Sequence, residues 1–186
     1  MALEQCPRCR RGATLLSTGR SAGHYDGTLR DILHAFKYDG RRTLARPLAA
    51  IMRAAGADLL RDADCVVPVP LHPWRRLRRG FNQAGELAAH LETPVLRALW
   101  RARATVPQTG LHAAARRRNV AGAFTLSPLI IRTSQRAFLE NRVVVLVDDV
   151  RTTGATLNAC AAVLLAAGAR EVRALTVARA APPTTS

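Results

Sequence analysis

Two adjacent carboxylates, Asp148 and Asp149, stand just ahead of Thr152-Thr153-Gly154-Ala155-Thr156, a run of small and hydroxyl-bearing residues. Such a run leaves backbone N–H groups available. With the positive end of a following helix, those groups can wrap a phosphate. Carboxylates beside a phosphate site repel the anion unless they hold something else, and sugar hydroxyls and Mg2+ both suit them. The combination calls for a ligand with a phosphate at one end, a diol next to it and a divalent cation. A ribose 5-phosphate has that form. Gly154 is the residue best suited to bring backbone close to the phosphate.

The flanking sequence supplies the elements that must position this chemistry. Val143 to Val147 are apolar and mostly β-branched, which reads as a fully buried strand ending at the acidic pair. Leu157–Ala167 is apolar at helical spacing. In an open α/β sheet, ligands bind in the crevice beyond the carboxyl ends of the strands. Upstream, helices are expected over Thr28–Tyr38, over Thr43–Leu60 with Pro47 in the first turn, and over Asn82–Leu91. Strands are expected over Cys65–Pro70, Pro94–Trp100, Gly122–Ser127 and Glu171–Ala178. Residues 1–23 read as a polar head, 101–119 as a mobile Arg-rich loop, 133–141 as a connecting segment and 180–186 as a frayed tail. Strands alternating with helices imply an α/β fold with a mostly parallel sheet covered on both faces.

The 186 residues suit one such domain with a small appendage, and 48% hydrophobic content suffices for a sizeable core. No apolar run reaches the length of a membrane span, and no apolar leader opens the chain, so a cytoplasmic protein is expected. Four cysteines in such a chain argue against a disulfide framework. The net charge is +15, almost all of it arginine, with Lys37 the only lysine. That excess attracts polyanions such as pyrophosphate, nucleotides or nucleic acid. Aromatic residues are too few, at 4%, to form an obvious base-stacking platform.

The segment Val143–Thr156 resembles the 5-phosphoribosyl-1-pyrophosphate (PRPP) motif of type I phosphoribosyltransferases: an apolar strand, two acidic residues, then T-T-G-x-T. YDGTLRDILHAFKYDGRRTLARPLA, VVPVPLHPWRRLRRGFNQAGELA and VPQTGLHAAARRRNVAGAF look like successive blocks of the ComF/GntX family. The resemblance runs from Tyr25 to Arg179. It implies a type I phosphoribosyltransferase fold over residues 25–179, with hood helices over 25–64. In some members it also implies a link to uptake of single-stranded DNA during transformation. Residues 1–24 correspond to the family's cysteine-rich head, of which one pair, Cys6 and Cys9, is present. A structural zinc needs four ligands. His24 could be a third, and Cys65 and Cys160 lie in expected core elements, so the zinc set is incomplete.

The resemblance also implies roles. Asp148 and Asp149 would hold the ribose hydroxyls directly or through Mg2+. Thr152, Thr153, Gly154 and Thr156, with backbone donors from Arg151 and Ala155, would cradle the 5-phosphate. The loop from Val69 and Pro70 to Arg79 would take pyrophosphate, with Arg79 as the donor. Arg116, Arg118 and Asn119 would belong to a loop closing over the site. The expected activity is transfer of the phosphoribosyl group to an unknown acceptor with release of pyrophosphate. Two other readings compete: a module that binds PRPP or a nucleotide without turnover, and an accessory factor that contacts single-stranded DNA. A homodimer is common for this fold.

Overall fold

The computed structural model describes residues 14–71, 80–102, 122–132 and 134–181. The apolar run that opens at Val143 forms the middle of a four-stranded sheet. In chain order the strands are β1 (Gly19–His24), β2 (Cys65–Pro68), β5 (Val143–Arg151) and β6 (Glu171–Arg179), and they lie side by side as β1-β6-β5-β2. All three pairings are parallel. A second ladder, antiparallel, joins β3 (Leu99–Arg101) to β4 (Phe124–Leu126).

Successive side chains on a strand face opposite ways, and both faces of this sheet are covered, so the strands read as continuous apolar runs. Val144 and Leu146 of β5, Cys65 and Val67 of β2, and Val172 and Ala174 of β6 belong to one core, together with helix α6 (Ala155–Ala166). Val145, Val147, Val66, Leu175 and Val177 belong to the other. That second core is closed by α1 (Gly27–Tyr38), α2 (Ala45–Ala55) and α4 (Gln83–Ala88), through Leu33, Phe36, Leu48, Met52 and Leu87. Each such side chain removed from water is worth about 1.5–3 kcal/mol. Helix α6 is apolar around most of its circumference, as its wedged position between the sheet and β4 requires.

Several boundaries differ from the sequence reading. The strand through Val147 does not stop at the acids. It continues to Arg151, because β6 offers ladder partners as far as Arg179 and the acidic side chains leave the plane of the sheet. The expected helix over Thr43–Leu60 divides into a 3-10 turn at Arg42–Leu44, α2, and α3 (Ala57–Leu60). The break falls at Gly56, where a Cβ would sit 2.6 Å from Leu175 Cδ1. The expected strand over Pro94–Trp100 is a single parallel bridge, Val95 to Val66, followed by the separate strand β3. The segment expected only to connect, 133–141, contains the 3-10 helix Ser134–Leu139, preceded by α5 (Pro128–Arg132). Finally, the polar head contains β1. Its Ser21 hydroxyl pairs with the buried Thr176 hydroxyl at 2.7 Å, and Leu15 N–H donates to Asn158 Oδ1 on α6.

Candidate functional site

The carboxyl ends of β2 and β5 lie side by side, Pro68 opposite Val147. The chain leaving β2 is held there: Val69 N–H donates to the Val147 carbonyl at 2.9 Å, and the Val69 carbonyl accepts from Asn82 Nδ2 at 3.1 Å. Val69 is buried and Pro70 half-buried. The return of this loop is pinned as well, by Arg42 Nη2 donating to the Gly80 carbonyl at 2.9 Å while its guanidinium lies over the Phe81 ring. The loop expected to take pyrophosphate therefore begins beside the acidic pair and ends on a fixed anchor. Neither Asn82 nor Arg42 was expected in this role. Asn82 carried a signal, since it sits in the R-G-F-N-Q block.

Asp148 and Asp149 are both half-buried. As neighbours on one strand they meet different layers. Asp148 lies within electrostatic reach of Arg101 on β3 and of Cys160 on α6, and its Oδ1 accepts the Asp149 N–H at 2.9 Å. Asp149 faces α1, where Lys37 Nζ reaches its Oδ1 at 2.9 Å. Burial, then the Asp149 charge, push the Asp148 carboxyl up to about 7; the Asp149 N–H, Lys37 and Arg101 oppose the rise. Burial, then the Asp148 charge, also raise the Cys160 thiol, and burial takes Cys65 to about 11. Both cysteines are free thiols buried in the core.

The turn from β5 into α6 has the form a phosphate loop needs. Thr152 and Thr153 are exposed, and Gly154 caps the twelve-residue helix at φ 78°, a left-handed conformation. Thr153 Oγ1 accepts the Ala155 N–H at 3.4 Å, a long bond that an anionic oxygen could replace. The Arg151 guanidinium lies under this turn: a Cβ on Gly154 would meet its Nε at 3.4 Å. The sequence reading gave Arg151 only a backbone role. Its side chain adds positive charge beside the loop and also lines a 290 Å³ cleft with Arg20, His24 and Arg179. Ala155 is buried at the helix start, and Thr156 follows it in the first turn.

Arg79, Arg116, Arg118, Asn119, Cys6 and Cys9 lie outside the described residues, as do His72, Trp74, His112 and the tail from 182. Among the described residues, no group of three or more His, Cys, Asp or Glu side chains could hold a metal ion. Mg2+ does not need such a cage, since it usually keeps waters and takes one or two carboxylates plus substrate phosphates. Asp148 and Asp149 fit that pattern as hard oxygen donors. No helix among the described residues is long and apolar enough to cross a membrane.

The family model described as the phosphoribosyl transferase domain matches residues 76–184, which take in the end of that loop, the acidic pair and the turn into α6. Competence protein F of Haemophilus influenzae is 38% identical over 168 residues, covering 85% of this chain and 71% of that protein. The chain belongs to the ComF family of phosphoribosyltransferase-like proteins. Within the ComF family it is also similar to DNA utilization protein YhgH of Escherichia coli strain K12, at 32% identity over 192 residues, 90% of this chain and 81% of that one. Competence protein ComFC of Bacillus subtilis strain 168 is 30% identical over 171 residues, 91% of this chain and 67% of that one. ComF membership and the parallel sheet with helices on both faces agree with the expected type I phosphoribosyltransferase-like fold.

Proposed function

We propose that the chain binds PRPP at the carboxyl end of β5 and transfers its phosphoribosyl group to a nitrogen nucleophile, releasing pyrophosphate. The observation that carries this reading is the sequence of features on one strand–turn–helix: two half-buried acids, an exposed Thr-Thr pair, and a left-handed glycine capping a helix. In the reaction, the bond from ribose C1 to pyrophosphate breaks with its electron pair leaving on pyrophosphate. A C1–N bond forms, and the nucleophile gives up a proton. Positive charge builds on the ribose ring between those events. The chain's part is to position reactants and stabilise charge.

In this reading Asp148 and Asp149 accept hydrogen bonds from the ribose hydroxyls and place negative charge near the developing cation. Thr152, Thr153, Gly154 and Thr156, with the N–H groups of Arg151 and Ala155, grip the 5-phosphate, and the Arg151 guanidinium adds charge beneath it. The chain leaving Val69 and Pro70 toward Arg79 takes the pyrophosphate, and Arg116, Arg118 and Asn119 close over it. Mg2+, held by Asp148 and Asp149, would neutralise the leaving pyrophosphate. The test is calorimetry with PRPP in the presence of Mg2+, followed by a pyrophosphate-release assay with a panel of bases and amines. Binding with release is the expected result; binding without release under every acceptor would support the sensor reading, and no binding would remove both.

A role in handling DNA is favoured by the similarity to competence and DNA utilization proteins, together with the +15 charge. Contacts to several phosphates make affinity for single strands fall steeply with salt. Between about 50 and 200 mM salt we expect a loss of at least about tenfold, read by fluorescence anisotropy; an affinity that does not change would count against direct contact.

A further inference from the structure

Lys37 is the only lysine of the chain, and the ComF assignment gives it no role. It sits in the last turn of α1, where a cation also complements the helix dipole. Leu33 and Phe36 of the same helix are fully buried, and Phe36 packs on Phe81 with ring centroids 5.5 Å apart, so the backbone carrying Lys37 is fixed. The ammonium lies 5.9 Å from the centre of the Tyr25 ring and 2.9 Å from Asp149 Oδ1. The two side chains are only 13% and 14% exposed. An ion pair shielded to that degree is screened little by salt, and loss of one partner leaves the other charge uncompensated.

We infer that Lys37 is a positioning residue for the PRPP site: it holds Asp149 by one oxygen and presents the other to the ligand. The inference rests on the reading that PRPP binds at the end of β5. Two physical arguments support it. A carboxylate on a strand end has two rotatable bonds, and an ammonium on Oδ1 selects one orientation, leaving Oδ2 to accept from a ribose hydroxyl. The ammonium also cancels one of two negative charges beside an anionic ligand, lowering the repulsion that the acidic pair would otherwise exert. Arg101 acts on Asp148 from the opposite layer, and the Lys37 charge reaches that acid as well.

The test is a double-mutant cycle read by calorimetry with PRPP and Mg2+. Lys37→Met is expected to weaken binding by about tenfold or more, and Lys37→Arg, which keeps the charge, by less than about threefold. In an Asp149→Asn background, Lys37→Met should cost several-fold less affinity than it does in the native chain, because most of the lysine's effect runs through that carboxylate. A second readout does not require tight binding. Protein grown on lysine labelled with carbon-13 at Cε carries one such resonance, which should shift in Asp149→Asn and shift again when PRPP and Mg2+ are added to the native chain. If the native chain binds PRPP while Lys37→Met binds equally well, or if the resonance ignores Asp149→Asn, the inference fails and the PRPP site stands. If the native chain does not bind PRPP, the site itself is wrong and the inference goes with it.

Discussion

A chain carrying both Asp148→Asn and Asp149→Asn loses Mg2+-dependent PRPP binding, by at least about 100-fold in calorimetry, with an unchanged circular dichroism spectrum. The size follows from removing two carboxyl acceptors of ribose hydroxyls and Mg2+ at once, a hydrogen bond to a charged group being worth about 1.5–3 kcal/mol. The isosteric amides keep the shape of the strand end and the Asp149 N–H, so the ladder from Asp148 to Arg151 against β6 should persist. Retained affinity would refute the site. The single change Asp148→Asn has a further signature in stability. The carboxyl stands near 7 in the folded chain, against an ordinary value of 3.8, because burial and Asp149 disfavour its charge. Between those two values the unfolded chain releases a proton that the folded chain keeps. Stability therefore falls as pH rises from about 4 to about 7 and then levels off. Asp148→Asn removes that slope: it should match the native chain near pH 4 and exceed it by about 4 kcal/mol at pH 8, measured by urea unfolding. A native chain equally stable at both ends of that window, after allowance for its histidines, would contradict the buried environment of Asp148.

The second large effect is expected at Gly154. Gly154→Val places a β-branched residue at φ 78°, which costs about 1–3 kcal/mol of folding stability. Its Cβ would also meet Arg151 Nε at 3.4 Å, pushing the guanidinium away from the turn. Loss of PRPP affinity should be at least about tenfold, since both the backbone donors and the nearby cation move. Gly154→Ala should be milder on both counts, because alanine lacks the branch. Urea midpoints and calorimetry on the two variants separate strain from lost binding: a fold destabilised without any change in affinity would show that the turn does not touch the phosphate.

The strand, acids, hydroxyl run and helix around Asp148 were legible in the sequence because they are local. An unbroken β-branched run, a glycine and an apolar helix need no distant partner to be read. What was not legible depends on residues far apart in the chain. The strand reaches Arg151 only because β6 accompanies it. Lys37 meets Asp149 across more than half the sequence, and nothing in FKYDG indicates that partner. Strand β1, Gly-Arg-Ser-Ala-Gly-His, has no β-branched residue and little to bury, so neither propensity nor alternation marks it. It exists because β6 provides a free edge and Thr176 a hydroxyl for Ser21. The break in the helix at Gly56 likewise reflects the approach of Leu175, a contact that helical periodicity cannot encode. Lone bridging at Val95, in place of a full strand, reflects how little of that segment runs beside β2.

The seat of β1 has a consequence for how the chain comes to be made. Ser21 and Thr176 touch although 155 residues separate them, and β6 lies between β1 and β5. During synthesis β1 therefore has no strand to pair with until β6 has been made and has cleared the ribosome's exit tunnel. Contacts this remote in sequence slow folding. A nascent chain halted before Glu171 would expose the bare flank of β5 as well as an orphaned β1, inviting aggregation or degradation rather than accumulation of a half-built domain.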